Sequence, residues 1–278
     1  MGEQLSLLLP VWAGDQPGFL ADAFRSTVVD QTRRPDRAVA DDDDLVGPEL
    51  ATCISELAAT SPVPVDVVAL PRNIGLGPAL DAGLEACRHP IVGRMDADDV
   101  SLPHRFAVQL PVMAAGVDLM GAGLLEIGAS AEDIVGVRTP PTDPADIVAR
   151  ARFADPFHHP TVLFRAELVR EVGGYTDFAL MEDYLLWAKM IVAGARVANV
   201  AEPLVKYRVG AGAYARRGGV RQLRAELALQ RRFRAIGFTS RRQCVRNVLV
   251  RGGYRLVPER VRRLAYRRVI AQYVPRTS

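Results

Sequence analysis

From Leu5 onward the chain alternates short aliphatic and β-branched runs with longer stretches whose apolar positions recur every three or four residues. Leu5–Val11, 37–40, Val65–Leu70 and 91–95 read as strands, with helices at 19–29, 48–59 and 76–87 between them. Leu50, Cys53, Ile54, Leu57 and Ala58 mark one buried helical face, and Leu76, Leu80, Leu84 and Cys87 another. This rhythm implies βαβ units, hence an α/β fold built on a mostly parallel sheet with flanking helices.

After residue 101 the rhythm changes, with Pro103, Pro111, a β-like run at 117–127 and a Pro-rich bend at 139–144. A strand at 161–165, a helix at Glu182–Val192 and a last strand at 204–209 follow. The division expected is a first half over 1–102, a second half of the same domain over 103–210, and a basic helical region over 211–278. In open α/β sheets ligands bind beyond the carboxyl ends of the strands. Pro10, Asp43, Arg72 and Asp96 all stand at such ends.

The chemistry concentrates in Arg94-Met95-Asp96-Ala97-Asp98-Asp99. In an extended segment Asp96 and Asp98 point to the same side. Paired hard oxygens suit Mg²⁺ or Mn²⁺, which complete their shells with water and substrate phosphates. A solvated acidic turn is the plainer alternative. Asp41, Asp42, Asp43 and Asp44 form a second acidic run, of which one carboxylate could bond a nucleotide base. Glu182-Asp183 opens an apolar helix and reads either as a first-turn cap pair or as a general base facing the metal-nucleotide site.

His158 and His159 alternate in direction on a strand, so only one of them serves a site. The Gly- and Arg-rich stretch 207–219 reads as a lid over a diphosphate, with Arg208, Arg216 and Arg217 as planar donors.

Charge changes the picture at the carboxyl end. Residues 206–278 hold 20 Arg/Lys against 2 Glu, a balance of +18, while the other 205 residues carry −15. Arginines interleaved with Val245, Val248, Leu249, Val257, Val261, Leu264 and Ile270 suggest helices lying on an anionic membrane surface, or else a helix pair packed on the body. No aromatic platform accompanies them, which argues against nucleic acid. Cys53, Cys87 and Cys244 match no disulfide or zinc spacing and suggest a reducing, cytoplasmic compartment. No apolar stretch approaches the roughly 20 residues that cross a bilayer.

Several stretches together resemble family-2 glycosyltransferases of the bacterial exopolysaccharide, amylovoran-biosynthesis type. They are Leu7-Leu8-Leu9-Pro10-Val11-Trp12, Asn73-Ile74-Gly75-Leu76-Gly77, the run from Arg94 to Asp99 with Ser101-Leu102-Pro103, and residues 156–165. Gly173-Gly174-Tyr175, Glu182-Asp183-Tyr184 and residues 207–219 complete the set. The resemblance implies a Rossmann-like GT-A fold, a nucleotide diphosphate sugar donor such as a UDP-sugar, a divalent metal, inversion, and a saccharide or lipid-linked saccharide acceptor. Carried over, it makes Asp98 the chief metal ligand, Asp96 its neighbour beside metal and ribose, and Asp183 the general base.

On the same footing Pro10, Asp43, Arg72, Asn73, Gly75, Arg208, Arg216 and Arg217 fall to the donor, and His159 and Glu182 to the acceptor. It further implies work at the inner face of the cell membrane in cell-surface polysaccharide synthesis. Asp44, Trp12-Ala13 and Asp81 depart from the family's usual Gly, Tyr-Asn and Asn. A nucleotidyltransferase acting on sugar phosphates, or a non-catalytic nucleotide-sugar-binding protein at a membrane surface, are the competing readings.

Overall fold

The computed structural model describes residues 3–43, 46–178, 180–209 and 219–257. The central strand β1 (Leu5–Val11) lies parallel to β2 (Arg37–Asp43) and β4 (Ile91–Arg94), and β2 lies parallel to β3 (Val65–Leu70). Strand alternation divides β1 between two cores. Leu5, Leu7, Leu9 and Val11 pack on α1 (Pro17–Phe24), α2 (Pro48–Thr60) and α4 (Arg105–Ala114) through Leu20, Phe24, Leu50, Ile54, Phe106 and Leu110. Leu8 faces the other way, toward Leu80 and Leu84 of α3 (Leu76–Ala86) and Trp187 and Met190 of α7 (Glu182–Val192).

Beyond β4 the sheet becomes mixed, and of the parallel pairing expected only β6 with β9 recurs there. β8 (Leu163–Arg165) is antiparallel to both β4 and β6 (Leu119–Ile127), while β9 (Val197–Arg208) is parallel to β6 and antiparallel to β5 (Val100–Ser101). The order is β3-β2-β1-β4-β8-β6-β9-β5, with β7 (Ile134–Arg138) antiparallel to β6. Two features of this half evaded the pattern. β9 starts at Val197, seven residues before the expected strand, because pairing with β6 sustains a segment of weak alternation that includes Pro203. Pro111 lies inside α4, held there by the burial of Phe106, Gln109, Leu110 and Met113. The short helices α5 (Pro144–Ala151) and α6 (Ala166–Glu171) complete this half.

The acidic run is likewise strand. β2 continues to Asp43, with Pro10 opposite Asp41 and Leu70 opposite Asp43, so ladder pairing overrides the local repulsion.

In the described part of the basic region, the helices pack on the body. α8 (Val220–Ala235) buries Leu229 and Phe233 against Met181, Tyr184, Leu185 and Ala188, and the Phe233 ring meets Tyr184 edge-on at 5.0 Å. Glu226 of α8 is fully buried and grips Arg251 through both oxygens, at 2.7 and 3.0 Å. Burial pushes its carboxyl up, but Arg251 and Arg255 hold it below the usual range. Arg251 belongs to the helix that runs from α9 (Arg241–Asn247) through a wide turn (Val248–Gly252) into α10 (Gly253–Leu256).

Phe233→Ala should therefore cost about 3–5 kcal/mol, as aromatic truncation in a core does. Urea unfolding of the full chain measures it, and a loss below about 1 kcal/mol would show that α8 is not part of the folded body.

Candidate active site

A cavity of about 380 Å³ opens at the carboxyl ends of β1 and β3, lined among others by Pro10, Trp12, Asp15, Asn73, Gly75, Asp96 and Asp98. The loop after β3 leads directly into α3. Asn73 Oδ1 accepts the Gly75 amide at 3.0 Å, and Gly75 takes φ +89°, a backbone state that glycine adopts without steric cost. α3 thus begins at the cavity wall with no acidic residue in its first turn, leaving its amide end suited to an anion.

The acidic segment is not extended. After β4 the chain turns, with the Asp99 amide on Asp96 O at 3.4 Å, so strand alternation does not set the side-chain directions. Asp96 and Asp98 nevertheless share the cavity wall, while Asp99 is fully buried and accepts the Arg208 amide at 2.8 Å. Arg208 fastens the turn from the other side. Its Nε donates to Asp98 O at 2.9 Å, its Nη1 to Gly128 O and Ala129 O, and its guanidinium stacks 4.0 Å from the Phe19 ring.

Behind the turn stands Arg94, 2% exposed, with Nη1 paired to Asp96 Oδ1 and Nε without any hydrogen-bond partner. Its main-chain carbonyl is held at 2.8 Å by Arg105 Nη2, a second fully buried arginine whose pKa burial and the Arg94 charge push down to about 9. The Arg94 charge reaches Asp98, Asp99, Glu182 and Asp183 and lowers the pKa of each, yet burial keeps all four above ordinary carboxyl values.

Glu182 and Asp183 open α7. Asp183 Oδ1 accepts the Tyr184 amide at 2.7 Å, and Oδ2 lies 3.7 Å from His159 Nδ1. Burial, with Asp183 beside it, pushes Glu182 up to about 7. His159 shares a 3.0 Å hydrogen bond with the Tyr175 hydroxyl and packs on Trp187, and burial together with Arg94 keeps it neutral. Its neighbour His158 precedes the 3-10 turn His159–Thr161, so the two do not alternate on a strand, and burial pushes its pKa down to about 3. α7 and α3 approach closely because residue 77 is glycine: a Cβ there would sit 2.3 Å from Thr176 O and 3.3 Å from the Glu182 Cβ.

The structure thus brings Pro10, Asn73, Gly75, Asp96 and Asp98 to one cavity. Glu182, Asp183 and His159 stand outside its lining, connected to it through Arg94 and Asp96. Arg72 is exposed and does not line the cavity. Asp43 ends β2 opposite the lining residue Leu70, and Arg216 and Arg217 lie outside the described residues.

Two participants escaped the sequence reading. Asp15 lines the cavity, holds the Trp12 amide at 3.0 Å, and is pushed up to about 6 by burial and the charges of Asp98 and Asp96. Only its place one turn after β1 hinted at this. Arg94 reads in sequence as the edge of the acidic motif, and its burial is a tertiary fact.

These carboxylates suit a divalent cation. Asp15 and Asp98 are hard oxygen donors whose pKa values are raised by burial first and by the neighbouring carboxylates second. Among the described residues no group of three or more His, Cys, Asp or Glu is placed to hold a metal ion.

Residues 17–172 match the model of glycosyl transferase family 2. The chain is 33% identical to the amylovoran biosynthesis glycosyltransferase AmsE of Erwinia amylovora, over 94% of this chain and 97% of that protein. It is 29% identical to the UDP-Gal:alpha-D-GlcNAc-diphosphoundecaprenol beta-1,3-galactosyltransferase of Escherichia coli, over 98% of each. Its fold matches S. aureus TarS 1–349 in complex with UDP-GlcNAc at TM-score 0.67 and 14% identity, covering 89% of this chain and 72% of that one. The mannosyltransferase PcManGT of Pyrobaculum calidifontis, in complex with GDP-Man and Mn²⁺, matches at TM-score 0.61 and 16% identity, covering 97% and 76%.

Removing the central cation has a signed consequence. The carboxylates it faces already have folded pKa values above their unfolded ones, so their ionisation costs stability as pH rises through the folded pKa. Arg94→Met raises those values further. It should destabilise the chain by about 3–5 kcal/mol at pH 8 and less at pH 5, read from denaturant unfolding at both pH values. An equal loss at both would show that Arg94 does not balance these charges.

Proposed function

This chain belongs to glycosyl transferase family 2, and on that premise we propose that it is an inverting, divalent-metal-dependent transferase of cell-surface polysaccharide synthesis. It moves a hexose-type sugar from a nucleotide diphosphate sugar to a saccharide or lipid-linked saccharide. The observation that carries this reading is a nucleotide-sized cavity walled by Asp96 and Asp98, with Asp183 in electrostatic reach of the same Arg94. A UDP-sugar is the favoured donor, supported by the UDP-Gal in the name of the Escherichia coli relative. A lipid-linked acceptor is supported by the same name.

In this reading residues 1–102 hold the donor and 103–210 the acceptor. Pro10, Asn73 and Gly75 shape the donor wall, and Asp43 meets the nucleotide base. Arg72, Arg216 and Arg217 serve the diphosphate, and Arg208 serves it by pinning the acidic turn. A Mg²⁺ or Mn²⁺ ion would be held chiefly by Asp98, with Asp96 contributing the oxygen that Arg94 does not hold and facing the ribose. When bound it supplies neutralising charge for the departing diphosphate.

Asp183 takes the acceptor hydroxyl proton on Oδ2, its Oδ1 being engaged by the Tyr184 amide. The acceptor oxygen bonds to the anomeric carbon as the bond to the diphosphate oxygen breaks, and one displacement inverts the centre. Neutral His159, fixed by Tyr175, and Glu182 orient the acceptor. The basic region, 211–278, keeps the enzyme peripheral on the cytoplasmic face of the membrane. Among the described residues no helix is long and apolar enough to cross a bilayer.

Asp183→Asn should lower turnover by about 10²–10⁴-fold while leaving metal-dependent donor binding intact, whereas Asp98→Ala should lose both. Release of nucleotide diphosphate measures turnover, and release of pyrophosphate instead would establish nucleotidyl transfer. Full activity in Asp183→Asn would sink the base assignment.

The pH profile is a separate test. A base whose pKa is raised is protonated at low pH, so turnover climbs as pH rises through that value. Arg94→Met removes the guanidinium charge that lowers the Asp183 pKa against its burial and should move this limb to higher pH.

A further inference from the structure

The helix from Arg241 to Gly252 has one face fully committed to the body. A reciprocal Ser240–Gln243 capping box starts it, and the buried Asn247 donates to Arg152 O at 2.8 Å and Gln230 Oε1 at 3.0 Å. Cys244 leans on Gln230 O, Gly252 packs near Leu223, and Arg251 enters the Glu226 pair. The rotation of this helix about its axis is therefore fixed. Among the described residues its other face has one tie to the body, the Arg246 guanidinium 4.8 Å from the Phe153 ring. Val245, Leu249 and Val250 are 59%, 69% and 54% exposed, and with Arg241, Arg242 and Arg246 they line one open apolar depression. An isolated exposed aliphatic residue needs no explanation, but three at helical spacing, ringed by arginines, form a patch.

We propose that this face docks on an anionic phospholipid bilayer. An aliphatic stripe flanked by arginines is the composition of a helix lying in the headgroup region. The charge argument selects the occupant, since Arg241, Arg242 and Arg246 flank the stripe and residues 240–257 contain no acidic residue. A second copy meeting this face across a twofold axis would set like arginines against each other. The docked face is also rigidly joined to the site: Arg251 of the same helix donates to Phe153 O at 2.7 Å and stacks 5.4 Å from the ring of Tyr184, the residue after Asp183. Docking would thus set the base end of the site at a fixed orientation to the lipid surface. Its purpose, though not its existence, rests on the lipid-linked acceptor proposed above.

The test is flotation of the full chain with vesicles of phosphatidylglycerol and phosphatidylcholine in equal parts, against phosphatidylcholine alone. We expect the wild type to float only with the anionic vesicles. Leu249→Ser/Val250→Ser should weaken this about tenfold or more, and Arg241→Glu/Arg242→Glu about thirtyfold or more, on roughly a tenfold change per 1.4 kcal/mol. All four side chains are exposed, so the melting temperatures should stay unchanged. Wild-type protein that stays unbound, or Ser variants that float as well as wild type, would overturn the proposal; the second result would move the contact to other basic segments or to charge alone. Self-association of the wild type without vesicles that the Ser pair abolishes would overturn it in favour of a second copy.

Transfer to a water-soluble acceptor separates this inference from the function on which its purpose rests. Flotation as expected with no sugar transfer by the wild type strikes the function and leaves the docking face. Normal transfer with no flotation does the reverse.

Discussion

One buried guanidinium sets the terms for everything around it. Arg94 ends β4 with almost no access to solvent, and a buried charge persists only where opposite charge surrounds it. It faces two carboxylate sets from distant parts of the chain, Asp96, Asp98 and Asp99 in the turn that follows it and Glu182 and Asp183 at the start of α7. Arg208 adds a second positive charge at the turn, and the five acids still outnumber the two guanidinium groups. Burial holds Asp98, Asp99, Glu182 and Asp183 above ordinary carboxyl pKa values. Arg105 fixes the main chain at Arg94 by donating to its carbonyl at 2.8 Å.

The mixed sheet is what brings the two acid sets together. Its parallel half delivers strand ends and the start of α3 to the cavity, in the manner of nucleotide-binding α/β sheets. Its second half returns the chain antiparallel on β4 and seats α7 on the same core as α3. The contact between them needs residues without side chains. A Cβ on Gly174, at φ +59°, would lie 2.0 Å from Asp81 Oδ1, which accepts the Tyr175 amide at 2.9 Å. Asp81, a departure from the usual family residue, keeps the acceptor oxygen that this junction requires. Gly14 plays a related part at the cavity mouth, where any Cβ would strike the Trp12 indole at 2.3 Å.

The basic region divides its arginines between two settings. Arg251 and Arg255 close on the buried Glu226, above a core that Leu229 and Phe233 join beneath Tyr184, while Arg241 and Arg242 stay exposed. The packed and the exposed arginines look alike in sequence. Only their partners distinguish them.

By itself the sequence determined the elements whose periodicity is strong and local: the strand Val65–Leu70 and the helix Glu182–Val192 appear with the bounds read from it. It determined the family as well, through the order of motifs. The tertiary structure decided whatever depends on partners far along the chain. Pairing with β6 made a strand of 197–203, packing kept Pro111 within α4, and burial made Arg94 the counterion of acids some ninety residues away. The physical reason is that periodicity records which side of an element meets the core, whereas desolvation and charge balance belong to the assembled interior, where no local window of sequence reports them.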